Sequence, residues 1–110
     1  HFSAFHPDYK LRELPNTPQK TLTTARKIAM DAGVKYVFTG NVHDETGSST
    51  YCYECSQKLI GRDWYQLGEW HINVKSGTQG SCDNCGAICT GFFEDKPGNW
   101  GAKRTRIAFT

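Results

Sequence analysis

The chain lacks any long apolar run: 37% of its 110 residues are hydrophobic, and no stretch approaches the roughly 20 residues of a transmembrane span. No signal-peptide pattern is read in these residues, and a cytoplasmic location is the expectation. Charge of one sign is scarce too. The formal +2 counts every thiol as neutral; four thiolates and one divalent cation would bring it to about zero. That argues against a strong, general nucleic-acid binder. An even cysteine count is missing as well, since five is a poor basis for a disulfide framework. The aromatic share of 13% is where much of the core must come from.

Four of the cysteines form two knuckles, Cys52-Tyr-Glu-Cys55 and Cys82-Asp-Asn-Cys85. A two-residue spacing lets a pair of thiolates turn toward one ion. The 26 residues between the knuckles suffice for a strand pair that brings the second back to the first. Such an arrangement predicts a tetrahedral Cys₄ site, most commonly zinc. Spacing does not separate zinc from the single iron of a rubredoxin. Four thiolates leave no open position for water, so a catalytic zinc is not expected. His43 and His71 are alternative ligands that four well-spaced cysteines make unnecessary. Cys89, four residues after Cys85, reads as a small buried hydrophobe, with an extra ligand or redox thiol as the alternative.

The fold class expected is α+β: a βαβ unit from the end of a partial (β/α) barrel, followed by a small antiparallel zinc ribbon. Residues 1–43 carry the strand–helix–strand pattern. Phe2, Ala4 and Phe5 make an apolar run stopped by His6-Pro7. Thr17 is the predicted N-cap, with Pro18 at the first helical position. Leu22, Ala25, Ile28, Ala29 and Ala32 recur at helical spacing up to Gly33. Val34 to Thr39 is β-branched and aromatic and predicts the second strand. Parallel strands are buried on both faces, so this half is expected to need more protein around it. The chain opens at His1 inside an apolar strand and reads as a fragment or one half of something larger.

Residues 44–92 form the ribbon. The stretch His43 to Thr50 reads as a polar linker, with Asp44-Glu45 a solvated acidic pair rather than an acid/base dyad. Leu59-Ile60 through Trp64-Tyr65 predicts one strand, and the alternation of Trp70, Ile72 and Val74 another, with a turn at Ser76-Gly77. A core this small supplies about 3–5 kcal/mol. A structural zinc contributes about 10–16 kcal/mol in metal-folded peptides, so the ribbon is expected to unfold without it. Residues 93–110 are a basic, aromatic tail. Lys103, Arg104 and Arg106 near Trp100 read as a solvated arm, with phosphate contact and base stacking as the sharper alternative.

Three segments carry a resemblance in order: His1-Phe2-Ser3-Ala4-Phe5-His6-Pro7; Pro15-Asn16-Thr17-Pro18 with Ala32-Gly33-Val34-Lys35-Tyr36-Val37 and Thr39-Gly40-Asn41; and Lys96-Pro97-Gly98-Asn99-Trp100-Gly101. Together with the ribbon they resemble the C-terminal part of radical SAM enzymes similar to pyruvate formate-lyase activating enzyme, in the branch associated with AMMECR1 and Memo proteins. The resemblance implies an oxidoreductase family using S-adenosylmethionine and a [4Fe–4S] cluster held by a CxxxCxxC triad. No such triad occurs here; Cys82, Cys85 and Cys89 give the reverse order. The chain alone is therefore not expected to be catalytic, and both cofactors would require the missing N-terminal part. By the same resemblance His6 lies at the end of a late barrel strand, near the cofactor; otherwise it is a loop histidine before Pro7. The expected partners are the missing radical SAM half or a substrate protein. Two other functions fit the ribbon: an independent module for nucleic acid or protein, and a rubredoxin-like electron carrier.

Overall fold

A computed structural model describes residues 1–75 and 79–98. The turn expected at Ser76-Gly77 and the basic residues Lys103, Arg104 and Arg106 lie outside the described residues.

The first half is a small βαβ unit. Strand β1 (Phe2–Ser3) pairs in parallel with β2 (Thr39–Gly40), Phe2 opposite Thr39, with helix α1 (Gln19–Asp31) between them in sequence. Two further bonds extend the pairing, from the Phe2 N–H to Phe38 O at 2.8 Å and from the Ala4 N–H to Gly40 O at 2.9 Å. Ala4, Leu22, Val37 and Thr39 are buried here. The described residues contain this two-stranded sheet and no barrel arc.

Helix α1 begins one residue later than expected. Pro18, not Thr17, occupies the N-cap, without a side-chain cap bond. The Thr17 hydroxyl instead accepts from the Phe5 N–H at 2.9 Å, tying the helix entry to the end of β1. The C-terminus is a Schellman motif. Gly33, at φ +98°, donates to Met30 O at 3.0 Å, and Val34 donates to Ala29 O at 3.1 Å. Of the apolar stripe read from the sequence, Leu22 is buried while Ile28 is 65% exposed.

The strand expected over 34–39 is corrected to Thr39–Gly40. Residues 34–38 have extended-strand composition, but β1 is too short to offer them a ladder. A β-forming sequence without a paired neighbour stays irregular.

The predicted polar linker is an ordered corner, so the solvated reading of Asp44 is also corrected. Asp44 caps the one-turn helix α2 (Glu45–Ser48): Oδ1 accepts from the Gly47 N–H and Oδ2 from the Thr39 hydroxyl, each at 3.0 Å. Ser49 and Thr50 are buried. Arg62 donates to Ser48 O at 3.3 Å and Thr50 Oγ1 at 2.6 Å, fastening the ribbon to this corner.

The ribbon has two three-stranded antiparallel sheets. One has the order β3 (Thr50–Tyr51), β4 (Lys58–Asp63), β5 (Gln66–Trp70); the other β6 (Ile72–Val74), β7 (Gly80–Cys82), β8 (Ile88–Cys89). Trp64-Tyr65 is the turn between β4 and β5 rather than part of a strand: Asp63 faces Gln66, and Trp64 has φ +57°. The alternation Trp70, Ile72, Val74 is real, but the chain changes sheets at His71. Its N–H donates to Leu59 O at 2.7 Å, and its carbonyl accepts from the Asp83 N–H at 3.1 Å. The core between the sheets is Cys52, Leu59, Ile60, Ile72, Cys82 and Cys89, with Trp70 and Phe93 packed against it. No helix among the described residues is long and apolar enough to cross a membrane.

Candidate metal centre

Each knuckle is the connection of a hairpin, the first between β3 and β4 and the second between β7 and β8. The two are built alike. In the first, Cys52 donates to Gln57 O at 2.8 Å and accepts from the Ser56 N–H at 3.0 Å. In the second, Cys82 donates to Ala87 O at 2.9 Å and accepts from the Gly86 N–H at 2.9 Å. Ser56 at φ +64° and Gly86 at φ +76° hold the equivalent left-handed position, which reverses the chain after the second thiol.

Bringing the hairpins face to face gathers Cys52, Cys55, Cys82 and Cys85, whose four sulfur atoms lie within 4.8 Å of one another. Cys52 Sγ is 3.5 Å from Cys85 Sγ, and Cys55 Sγ is 3.6 Å from Cys82 Sγ. These separations are too long for disulfides, whose sulfurs are about 2.05 Å apart. They match a tetrahedron of thiolates at about 2.3 Å from a central ion, whose edges are about 3.8 Å. The four cysteines can therefore hold a metal ion such as zinc.

Polar support comes from groups the spacing did not flag. The Asn84 side chain donates across the site to Cys55 Sγ at 3.5 Å. That amide, followed by the Gln57 N–H, draws the Cys55 thiol down to about 6. For Cys85 the largest influence, the Ala87 N–H, also lowers the pKa. Desolvation and hydrogen bonds to Cys52, Cys55 and Cys82 together outweigh it and push this thiol up to about 12. Without a metal, Cys55 thus gives up its proton more easily than Cys85. A divalent cation removes the difference, because all four sulfurs then serve as thiolates.

The remaining candidates fall outside the cluster. Cys89 is buried in the ribbon core and is not among the four gathered sulfurs. Burial, and then its hydrogen bond to Cys89, raises the Tyr36 hydroxyl above the ordinary tyrosine range. His71 Nδ1 lies 3.0 Å from Asp83 Oδ2, and His43 Nε2 pairs with Asp63 Oδ1, so each imidazole meets a carboxylate instead of the cluster. His6 follows β1, is exposed, and sits 3.3 Å from Asp8 Oδ2.

No family model matches the chain, and no solved structure matches it. It is 46% identical over 86 residues to uncharacterized protein MJ0808 of Methanocaldococcus jannaschii, a match covering 78% of this chain and 25% of that protein. The chain thus spans about a quarter of the length of this relative.

Proposed function

We propose that Cys52, Cys55, Cys82 and Cys85 hold one structural Zn²⁺, and that the chain is the non-catalytic, zinc-binding C-terminal segment of a radical SAM protein. The observation that carries the zinc reading is the convergence of four thiols from two identically built knuckles, within 4.8 Å of one another. With four thiolate ligands no coordination position is left for water or substrate, so the ion cross-links the two hairpins and does no chemistry. Its contribution is to fold the ribbon and present it to the rest of the protein or to a substrate protein.

The wider assignment draws support from the order of elements. A parallel strand–helix–strand leads straight into the Cys₄ ribbon, as in the family the sequence resembles. The matched relative is several times as long as this chain, since the match covers 25% of it, which suits a segment working inside a larger protein. In this reading S-adenosylmethionine and the [4Fe–4S] cluster belong to the other part, and His6, exposed just beyond β1, faces that cofactor.

A second reading keeps iron in the site. Backbone N–H groups of Gln57 and Ala87 directed at Cys55 and Cys85 stabilise thiolates around iron as well as zinc. Metal content by mass spectrometry on protein purified without added metal, with a visible spectrum, decides between them. One zinc per chain and no colour is the expected result. One iron with strong visible absorbance replaces the zinc reading with electron transfer. For the wider assignment, the longer protein reconstituted under anaerobic conditions is expected to cleave S-adenosylmethionine reductively, and this chain alone is not.

A further inference from the structure

Cys52 forms part of the wall of an open cleft of about 560 Å³ between the C-terminal end of α1 and the first knuckle. Arg26 and Lys35 line the same cleft, and no residue of the lining is an aspartate or glutamate. Each cation sits over a ring that is a chain neighbour of Cys52. The Arg26 guanidinium lies 5.6 Å from the Tyr51 ring centroid, and the Lys35 ammonium 4.4 Å from that of Tyr53. Both rings are fixed in turn. The Tyr51 hydroxyl donates to Thr46 O at 2.9 Å, and Tyr53 packs edge-on against Tyr36 with ring centroids 6.4 Å apart. Arg26 is further held through Nε, which donates to Val37 O at 3.2 Å.

These two cations face negative charge of comparable size. Four thiolates around one Zn²⁺ carry a net charge of about −2. The end of α1 adds roughly half a negative charge. Glu54, exposed within the first knuckle, adds one more carboxylate, whereas Asp83 of the second knuckle meets His71. Other cations are matched locally, Lys27 by Asp31 and Lys58 by Glu45 and Glu69. Among the described residues Arg26 and Lys35 form no ion pair with a carboxylate. Their charge is left for the cluster.

We infer that Arg26 and Lys35 are the counter-ions of the metal centre, held on Tyr51 and Tyr53 to either side of Cys52 in the chain. They touch no metal themselves and act through the charge of the thiolates. The loaded cluster carries more negative charge than free thiols, so two nearby cations favour loading. The cleft is open to solvent, which limits each cation to a few-fold in affinity rather than orders of magnitude. This role rests on the zinc reading of the four cysteines and is independent of the radical SAM assignment.

The test is zinc competition between the full chain and a chromophoric chelator at about 0.1 M and about 1 M salt. Across that range the Debye length falls from about 10 Å to about 3 Å. Comparing each variant with the unaltered chain in the same buffer cancels the salt dependence of the chelator. Lys35→Gln, at an exposed position, and Arg26→Gln should each weaken zinc binding roughly fivefold at the lower salt. At the higher salt the loss should shrink to less than about twofold. Lys35→Arg, which keeps the charge, should stay within about twofold of the unaltered chain. Lys20→Gln, which removes an exposed lysine outside the cleft, should change nothing. A loss for Lys35→Gln that is equal at both salts, or that Lys35→Arg fails to restore, assigns the effect to packing and overturns the counter-ion role. No loss in either glutamine variant also overturns it, while leaving the zinc reading intact. An unaltered chain that takes up no zinc overturns the zinc reading itself, and the counter-ion role with it.

Discussion

Stripping the metal with a strong chelator is expected to unfold the ribbon, and the composition of its core gives the magnitude. Six buried residues form that core, and Cys52 and Cys82 among them belong to the four-cysteine cluster. What remains is Leu59, Ile60, Ile72 and Cys89. Burying each of the three aliphatic side chains contributes about 1.5–3 kcal/mol. Ordering the backbone opposes this at about 1–2 kcal/mol for every residue fixed, and β4 to β8 are many residues. A structural zinc adds about 10–16 kcal/mol, more than the aliphatic burial by itself. The assay is amide NMR of Leu59, Ile60, Ile72 and Cys82, with near-ultraviolet circular dichroism of Trp64 and Trp70. Chelation should collapse both signals to those of an unfolded chain, and one equivalent of zinc should restore them. A metal-free chain that keeps its dispersed amide spectrum, with a melting midpoint lowered by only about 5 °C, corresponds to about 1 kcal/mol and would refute the reasoning.

Other outcomes test individual residues. Cys85→Ser should weaken zinc binding by on the order of a hundredfold or more, since one of four ligands is lost, whereas Cys89→Ala should keep one zinc per chain and cost about 1–2 kcal/mol of stability; competition with a chromophoric chelator and denaturant melts separate the two. Asp44→Ala removes the cap of α2 and the acceptor for Thr39, at an expected cost of about 1–2 kcal/mol. Asp44→Asn should recover most of that, because asparagine caps equally well. At the matched left-handed positions the two knuckles should respond with opposite signs. Ser56→Gly is expected to raise the melting midpoint by the equivalent of about 0.5–1 kcal/mol, and Gly86→Ala to lower it by about 1 kcal/mol, the latter purely through the backbone because a Cβ there meets nothing within 4 Å.

The parts of the fold legible in the sequence are those fixed by short-range chemistry. The Gly33 stop of α1 is one, because a left-handed residue after an apolar-periodic run specifies a Schellman end by itself. The parallel pairing of β1 with β2 was legible in kind but not in extent. Composition cannot tell whether Val34 to Phe38 will find a partner; the ladder shrinks to Thr39–Gly40 because β1 supplies only two residues. Trp64-Tyr65 misleads for the complementary reason. Aromatic residues favour strands, but Trp64 takes a left-handed turn conformation that frees Gln66 to Trp70 to pair back on β4. The alternation of Trp70, Ile72 and Val74 persists through a change of sheet, since His71 keeps the side-chain period while exchanging hydrogen-bond partners.

The metal centre divides along the same line. Two CxxC pairs constrain four sulfurs locally, and the structure brings all four together, with Cys89 left to packing. The groups around them are set by the knuckle fold. Asn84 reaches from the second knuckle to Cys55 of the first, a contact that exists only once both hairpins are in place. Asp44 did leave a sequence signal, an Asx residue two before a threonine and three before a glycine, but the buried Thr39 hydroxyl that explains its second oxygen lies on the other half of the chain. Arg62 makes the same point from the ribbon side. Its guanidinium reaches back to Ser48 and Thr50, so the corner that looks like a linker in sequence is where the two halves are joined. Local rules place the ligands, then, while the contacts that tune and anchor them arise from the meeting of elements far apart in the chain.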